Sequence, residues 1–146
     1  MRDLLYLKDE HIKDFIEQIF HAYRETYSDP KQVLKKYSFG LAHLRLIILI
    51  ERHEGITISG LLNKLKITKQ SLNRILKDLI KNKVILVKKG KIDSRQRHIF
   101  LNEKGKKLFE EMFFEQKKRI YNAFKNSDSD SVIKFKNMLK KIINEQ

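Results

Sequence analysis

The apolar residues in the middle of the chain change their spacing, and this change constrains the fold more than any other feature of the sequence. Over residues 68–81 they recur every three or four positions, which is typical of a helix with one apolar face. Over residues 84–87 they form a continuous, mostly β-branched run, and residues 97–101 alternate, so two strands are predicted there. A shorter helical pattern, at residues 58–66, precedes them. We therefore expect two helices and then a β-hairpin in immediate succession.

The rest of the chain is predicted to be largely helical. Residues 41–53 are apolar nearly all round and should form the buried centre of the fold. Amphipathic patterns indicate further helices at residues 9–27, at residues 103–126 and after a break at residues 127–131. The predicted fold is mainly α with a small β-hairpin wing.

Local chemistry supports these boundaries. Thr57 and Thr68 are the expected N-caps of the two short helices, because a threonine hydroxyl accepts hydrogen bonds from the first free backbone amides. Pro30 is expected to end the first helix, since the residue before a proline is driven out of the helical region. The chain is interpreted as a single domain of residues 1–146, in which a lobe of residues 38–103 lies between two flanking helical segments, 1–37 and 104–146.

Most of the excess positive charge lies in one segment. Residues 64–107 hold fifteen Lys or Arg against three acidic residues, a local charge of +12 out of the chain's +14. The first 63 residues balance at nine basic and nine acidic residues. A positive field confined to a helix and a hairpin fits the phosphate backbone of double-stranded DNA, so we predict that the chain binds DNA.

Two short helices followed by a hairpin form a winged helix-turn-helix, whose second helix enters the major groove. Gln70, Asn73 and Arg74 can each form two hydrogen bonds with a base edge and are predicted to read sequence. Arg95 at the hairpin tip is predicted to enter the minor groove. Asp93 is expected to pair with Arg95 or Arg97 and hold the tip in shape. The other predicted DNA contacts are with phosphates and involve Ser59, Lys69, Ser71, Lys77, Lys88, Lys89 and Lys91.

Several short motifs resemble the MarR family of bacterial transcriptional regulators. They are the order of residues in 58–62 and 67–79, the wing sequence Asp93-Ser94-Arg95-Gln96-Arg97, and Leu101-Asn102-Glu103-Lys104-Gly105. The resemblance covers most of the chain. It implies a homodimer with intertwined terminal helices that binds a pseudo-palindromic operator, usually as a repressor. It also implies possible release by a small aromatic or phenolic ligand.

The chain departs from the family pattern at three positions. Lys66 and Lys83 stand where the family commonly has glycine, and Asn102 replaces the usual threonine cap. At the end of the recognition helix, Asn82 is the candidate for the left-handed backbone conformation in place of Lys83. These departures concern loop geometry more than the fold.

Much amphipathic helix lies outside the predicted lobe, and an apolar surface of that size favours a dimer interface. The residues expected to form it are Ile12, Phe15, Ile16, Ile19, Phe20, Phe124, Phe135, Met138, Leu139, Ile142 and Ile143. A ligand pocket, if the chain has one, is expected among the first, central and long C-terminal helices. Tyr37, His43 and Phe113 are guesses at its lining, and His43 is more simply read as a satisfied polar residue.

Other classes of function find no support in the residues. The chain has no Cys, no two of its five His are three or four residues apart, and no nucleophile or phosphate-loop motif is present. We therefore predict no enzyme activity, no cofactor and no metal site. The longest apolar run, at residues 46–50, is far too short to span a bilayer, and no signal peptide is evident, so a cytoplasmic protein without a membrane partner is expected.

Two alternatives to a sequence-specific regulator stay open at this point. The same fold and high charge would suit a nucleoid-type architectural protein that binds AT-rich DNA broadly and responds to no inducer. A winged-helix protein-interaction module, with its basic face on an acidic partner, is the other. The length of the DNA segments protected, or the absence of any protection, separates the three readings.

Overall fold

A computed structural model describes residues 4–144, and these residues form a mainly helical fold with one small sheet. Seven α-helices and three strands follow a turn of 3-10 helix at Leu5–Leu7. The helices are α1 (Asp9–Ser28), α2 (Lys31–Lys35), α3 (Leu41–Arg52), α4 (Ile58–Leu65), α5 (Lys69–Lys81), α6 (Glu103–Lys125) and α7 (Ser129–Ile143). The strands are β1 (Ile56–Thr57), β2 (Ile85–Lys89) and β3 (Arg97–Leu101). The predicted fold class is confirmed.

The sheet is antiparallel, with β3 in the centre. β2 and β3 form the predicted hairpin, with Ile85 opposite Leu101 and Lys89 opposite Arg97. The short strand β1 pairs Ile56 with Ile99 on the other edge of β3. This strand and the helix α2 were not predicted, because two and five residues are too few to show a period.

The caps of the two short helices form as predicted. The Thr57 hydroxyl accepts a hydrogen bond from the amide of Gly60 at 3.1 Å, and the Thr68 hydroxyl accepts one from the amide of Ser71 at 3.1 Å. The turn between α4 and α5 passes through Lys66, whose φ of 53° lies in the left-handed region. Glycine adopts this conformation without strain, and lysine does not.

The prediction for the end of α5 was wrong. Asn82 has φ of −84° and Lys83 has φ of 57°, so the lysine takes the left-handed position. Asn82 instead donates its side-chain amide to the carbonyl oxygen of Asp78 at 2.9 Å. This hydrogen bond keeps Asn82 in the last turn of the helix. The left-handed conformation that ends the helix therefore falls at Lys83.

The core of the fold is built around α3. Leu44, Leu46, Ile47 and Ile50 of α3 are fully buried, which confirms α3 as the centre of the fold. They pack in one cluster with buried residues of α4, α5, the sheet and the first half of α6, among them Leu61, Leu72, Leu79, Ile99, Leu108 and Met112. Complete burial of one such side chain stabilises the fold by about 1.5–3 kcal/mol.

One residue of the predicted apolar stripe on α5 lies outside this cluster. Ile80 falls on the apolar face predicted for residues 68–81, as Leu72, Leu76 and Leu79 do, but 54% of its surface is exposed. It borders a shallow groove between α5 and the wing that Val87 and Arg97 also line.

Candidate nucleic-acid interface

The outer face of α5 carries every residue predicted to read bases. Leu72, Leu76 and Leu79 anchor the helix in the core, and the opposite face of the helix points away from it. Gln70, Asn73 and Arg74 are exposed there, as are the predicted phosphate contacts Lys69 and Lys77. The outer face of α5 therefore exposes amide and guanidinium groups to solvent.

Ser71 differs from its neighbours because its hydroxyl already has a partner. The residue is half-buried, and its oxygen accepts a hydrogen bond from the Thr68 hydroxyl at 2.9 Å. Ser59, in the first turn of α4, is exposed. Gly60 beside it packs closely, since a Cβ there would lie 2.9 Å from the Ile56 side chain.

The wing is a closed hairpin with exposed cations. The amide of Gly90 donates to the carbonyl oxygen of Gln96 at 3.0 Å, and the amide of Gln96 donates to the carbonyl oxygen of Asp93 at 3.1 Å. Gly90 is needed here, because a Cβ would stand 2.4 Å from the Asp93 carbonyl oxygen. Exposed cations surround this tip: Lys88, Lys89, Lys91 and Arg95.

The ion pair predicted at the tip forms between Asp93 and Arg95. One Asp93 carboxylate oxygen accepts from the Arg95 amide at 3.0 Å and from its Nε at 3.3 Å. The Arg95 side chain is nevertheless 91% exposed, so it remains available to DNA. Arg97 pairs instead with the backbone, donating from Nη1 to the carbonyl oxygen of Ser94 at 2.8 Å.

Two histidines connect distant segments of the lobe through contacts that the sequence did not reveal. His43 Nδ1 accepts a hydrogen bond from the Gly40 amide at 3.0 Å, and its Nε2 lies 2.9 Å from the Asp78 carboxylate on α5. Because Nδ1 accepts, Nε2 carries the proton and donates it. This confirms His43 as a satisfied polar residue and ties α3 to the recognition helix. No local pattern could show a contact across 35 residues.

His98 of β3 lies on the face of the strand opposite the buried Ile99, which is the outer face of the wing. The residue is half-buried, and its Nδ1 lies 2.9 Å from the carbonyl oxygen of Gly55. The contact arises because β1 pairs with β3, and β1 was the strand that sequence analysis missed.

The terminal helices present a broad apolar surface. None of the residues of α1 or α7, all of which the structure describes, is buried. The predicted dimerisation residues are all exposed except Leu139, which is half-buried. Leu4, Leu5, Tyr6 and Leu7 before α1, and Tyr121 and Ile133, extend the same kind of surface. Together we call these residues the terminal apolar surface.

A cavity of about 690 Å³ lies between α1, α3 and the second half of α6. Thr26, Tyr27, Ile48, Phe113, Ile120 and Phe124 line it, with Lys117 and Lys125 among its polar groups. Its place among the first, central and long helices agrees with the prediction, and so does Phe113. Tyr37 and His43 do not line it, and both stack on Phe39 instead.

Tyr27 is the most buried phenol of this cavity wall. Burial raises the pKa of Tyr27 above its ordinary value, and the neighbouring Tyr23 raises it further, while Arg45 opposes them. The group therefore stays a neutral hydrogen-bond donor at physiological pH. Beside it, Arg119 of α6 holds Asp29 with hydrogen bonds of 2.7 and 2.9 Å, which fixes the end of α1 against α6.

Residues 4–144 form neither a metal site nor a membrane-spanning helix. Across residues 4–144, no group of His, Asp and Glu is arranged to hold a metal ion. No helix in that part of the chain has the length and hydropathy needed to cross a membrane.

An exposed recognition helix beside a cationic hairpin defines a winged helix-turn-helix DNA-binding protein. Residues 37–90 match the profile of the MarR family. The HTH-type transcriptional regulator PetP of Rhodobacter capsulatus is 38% identical over 136 residues, which are 93% of this chain and 82% of that protein. The chain belongs to the MarR family of DNA-binding transcriptional regulators, which are not enzymes.

Solved structures agree on the fold. A putative MarR family transcriptional regulator from Listeria monocytogenes, complexed with 26mer DNA, superposes with a TM-score of 0.74 at 23% identity, covering 99% of this chain and 89% of that one. The Staphylococcus aureus MarR in complex with salicylate and kanamycin gives a TM-score of 0.71 at 23% identity, covering 92% and 91%.

Proposed function

We propose that this protein is a homodimeric repressor that binds a pseudo-palindromic operator and is released by a small aromatic ligand. The observation that carries the proposal is the face of α5, where side chains able to read base edges stand exposed beside a cationic wing. A regulator of this kind works on the chromosome, hence in the cytoplasm.

Base reading falls to Gln70, Asn73 and Arg74, because these side chains can hydrogen-bond two atoms of one base edge. Arg95 is the group for the minor groove, with Asp93 and Arg97 bracing the hairpin behind it. The phosphate contacts supply affinity without sequence preference. The residues proposed for these contacts are Ser59, Ser71 and the lysines at positions 69, 77, 88, 89 and 91. The Ser71 hydroxyl oxygen already accepts a hydrogen bond from the capping residue Thr68.

The terminal apolar surface supports the dimer. Ten of its side chains are those predicted for dimerisation and between 39% and 63% exposed. An apolar surface on this scale is usual at an interface and unusual on a monomer. A second copy of the chain would cover it, and the two recognition helices would then face successive major grooves about 34 Å apart. A palindromic site follows from the two-fold axis.

The cavity beside Tyr27 supports the ligand. Its walls are aromatic and aliphatic, and Lys117 and Lys125 can neutralise an acid. An aromatic carboxylate of the salicylate kind suits this combination. Because the cavity joins α1 to α3 and α6, its occupancy would alter how the terminal helices sit on the lobe.

The first experiment maps genomic fragments bound by the purified protein and footprints the tightest. We expect one or a few short palindromes, and a log–log salt slope of about −0.9 for each phosphate contacted. Protection of long AT-rich tracts would favour an architectural protein. No retardation of any duplex at micromolar protein would favour a protein-interaction module. Transcription in vitro from a promoter overlapping the site tests repression, and an increase in transcript would contradict it.

The second experiment adds salicylate to the protein–DNA complex. We expect release of the duplex, and we expect Tyr27→Phe to need more salicylate for the same release because one hydrogen-bond donor is lost. Tyr37→Phe is the matched control, since Tyr37 lies outside the cavity. An equal response of both variants would remove the cavity from the mechanism.

A further inference from the structure

Ile92 stands at the apex of the wing with no packing at all. Its exposure is 104%, the highest of any large hydrophobic residue within the described part of the chain. Turns favour Gly, Pro, Asn, Asp and Ser for reasons of backbone geometry, and isoleucine offers none of these advantages. Neither the core nor the turn explains this residue.

The surroundings of Ile92 identify the surface that it would meet. Lys91 precedes it and Arg95 follows, and Lys88 and Lys89 stand on the adjoining strand. A single exposed isoleucine is ordinary on a protein surface. Ile92, however, lies at the tip of a cationic hairpin, so it would approach any polyanion that the hairpin binds.

Hydrogen bonds hold the backbone of the tip in shape around Ile92. Two backbone hydrogen bonds close it, and the carboxylate of Asp93 holds Arg95 on the C-terminal side of Ile92. The apex is also thin, which suits the minor groove, about 6 Å wide. The walls of that groove are deoxyribose rings, an apolar surface.

We propose that Ile92 enters the minor groove beside Arg95 and selects A·T pairs by shape. A branched side chain at the groove floor has room over the edge of an A·T pair, but it collides with the 2-amino group of guanine. The inference rests on the proposed function, because it requires the wing to lie on DNA. It adds a base preference at the flanks of the operator, apart from the bases read by α5.

The test replaces the base pairs beneath each wing, located by footprinting, in the best-bound fragment. An A·T pair is changed to G·C or to inosine·C, which matches G·C in the major groove but lacks the 2-amino group. For the wild-type protein we expect G·C to weaken binding about ten-fold. Inosine·C should stay within about two-fold of A·T, because its minor-groove edge presents only acceptors.

Variants at Ile92 then test whether this residue causes the difference in affinity between G·C and inosine·C. In Ile92→Ala we expect the gap between G·C and inosine·C to fall below about three-fold, with the salt slope unchanged because no ion contact is lost. Ile92→Val, which keeps the branch, should retain the gap. Lys91→Ala is the matched control, and it should retain the gap while lowering the salt slope by about one.

The outcomes distinguish failure of the inference about Ile92 from failure of the proposed function. A full G·C penalty in Ile92→Ala would overturn the inference, since Arg95 and groove width would then account for it. A wild-type protein indifferent to G·C beneath the wing would overturn it too. A protein that retards no duplex would instead overturn the proposed function.

Discussion

The winged lobe and the terminal helices of this protein bury their apolar residues in opposite ways. Every hydrophobic core residue identified among residues 4–144 lies between Leu34 and Met112. α1 and α7, by contrast, contain no buried residue although both are amphipathic, as the described residues of each show. The lobe, with α2 and the first half of α6, buries most of its apolar residues within one protomer. The terminal helices leave their apolar faces exposed in the single chain, and we expect a second copy to cover them.

The largest effect is expected from charge in the terminal apolar surface. Ile16→Asp combined with Met138→Asp should give a monomer, because both side chains would meet the partner's apolar face. DNA affinity should fall about 10²–10⁴-fold, since the second half-site no longer binds within the same complex. Light scattering and gel retardation measure the two results.

The control places the same residue at an exposed cation of α7. Lys134→Asp should leave the dimer intact, because the Lys134 side chain is 71% exposed and its ion pair is with Asp130 of the same helix. A double variant that stayed dimeric, or a wild-type protein already monomeric, would contradict the division between the two regions.

The next effect is expected inside the lobe, at Gly105. A Cβ at this position would lie 2.0 Å from the carbonyl oxygen of Val84. That carbonyl cannot move freely, because it accepts the Asn102 amide at 3.2 Å. Gly105→Ala should therefore destabilise the protein by about 3 kcal/mol, at the upper end for overpacking. Urea unfolding measures it, and Gly40→Ala, where a Cβ meets nothing within 4 Å, is the control.

Elements with a clear period or a diagnostic residue could be predicted from the sequence. α1, α3, α5 and α6 were placed to within one or two residues, because each is long enough to repeat its apolar face. The caps Thr57 and Thr68 were found from the chemistry of their hydroxyls. The residues on the outer face of α5 followed from the same period that buried Leu72 and Leu76.

Features that depend on pairing across the chain could not be predicted. The contacts of His43 with Asp78 and of His98 with the Gly55 carbonyl oxygen each join residues far apart in the chain, so local sequence does not reveal them. The helical period places Ile80 on the apolar face of α5, but it cannot show that other elements leave this residue half exposed. The roles of the interface residues on DNA remain predictions.

A smaller effect is expected at the cap of the recognition helix. Thr68→Ala removes the acceptor of the Ser71 amide, and it should cost about 1 kcal/mol of stability. Thr68→Ser keeps the hydroxyl and should restore most of it. If Thr68→Ala unfolded at the wild-type urea concentration, the cap would not contribute to the lobe's stability.

The turn between α4 and α5 should gain stability from glycine. Lys66 has φ of 53°, where a side chain is strained, so Lys66→Gly should stabilise the lobe by about 0.5 kcal/mol after the entropy of glycine is subtracted. Lys64→Gly, which removes the same charge from within α4, should instead destabilise it by about 1 kcal/mol. Loss of stability in both variants would contradict the strain at Lys66.

The smallest expected effect contrasts the caps of the two regions. α7 begins at Asp128, and hydrogen bonds from the Ser131 hydroxyl and amide lower the pKa of that carboxyl below its ordinary 3.8. A lowered folded-state pKa contributes stability above pH about 4 and loses it as the pH falls through the folded value. Asp128→Asn caps without titrating, so the stability advantage of the wild-type protein over this variant should vanish in acid.

The cap of α5 should show no such dependence, because threonine does not titrate. The difference in stability between the wild-type protein and Thr68→Ser, followed over the same pH range by urea unfolding, is therefore the control. The contrast is specific to the terminal helix, whose cap is a carboxylate in solvent, while α4 and α5 of the lobe are capped by hydroxyls. A wild-type advantage over Asp128→Asn that persisted well below the folded pKa would show that the carboxylate's charge does not stabilise α7.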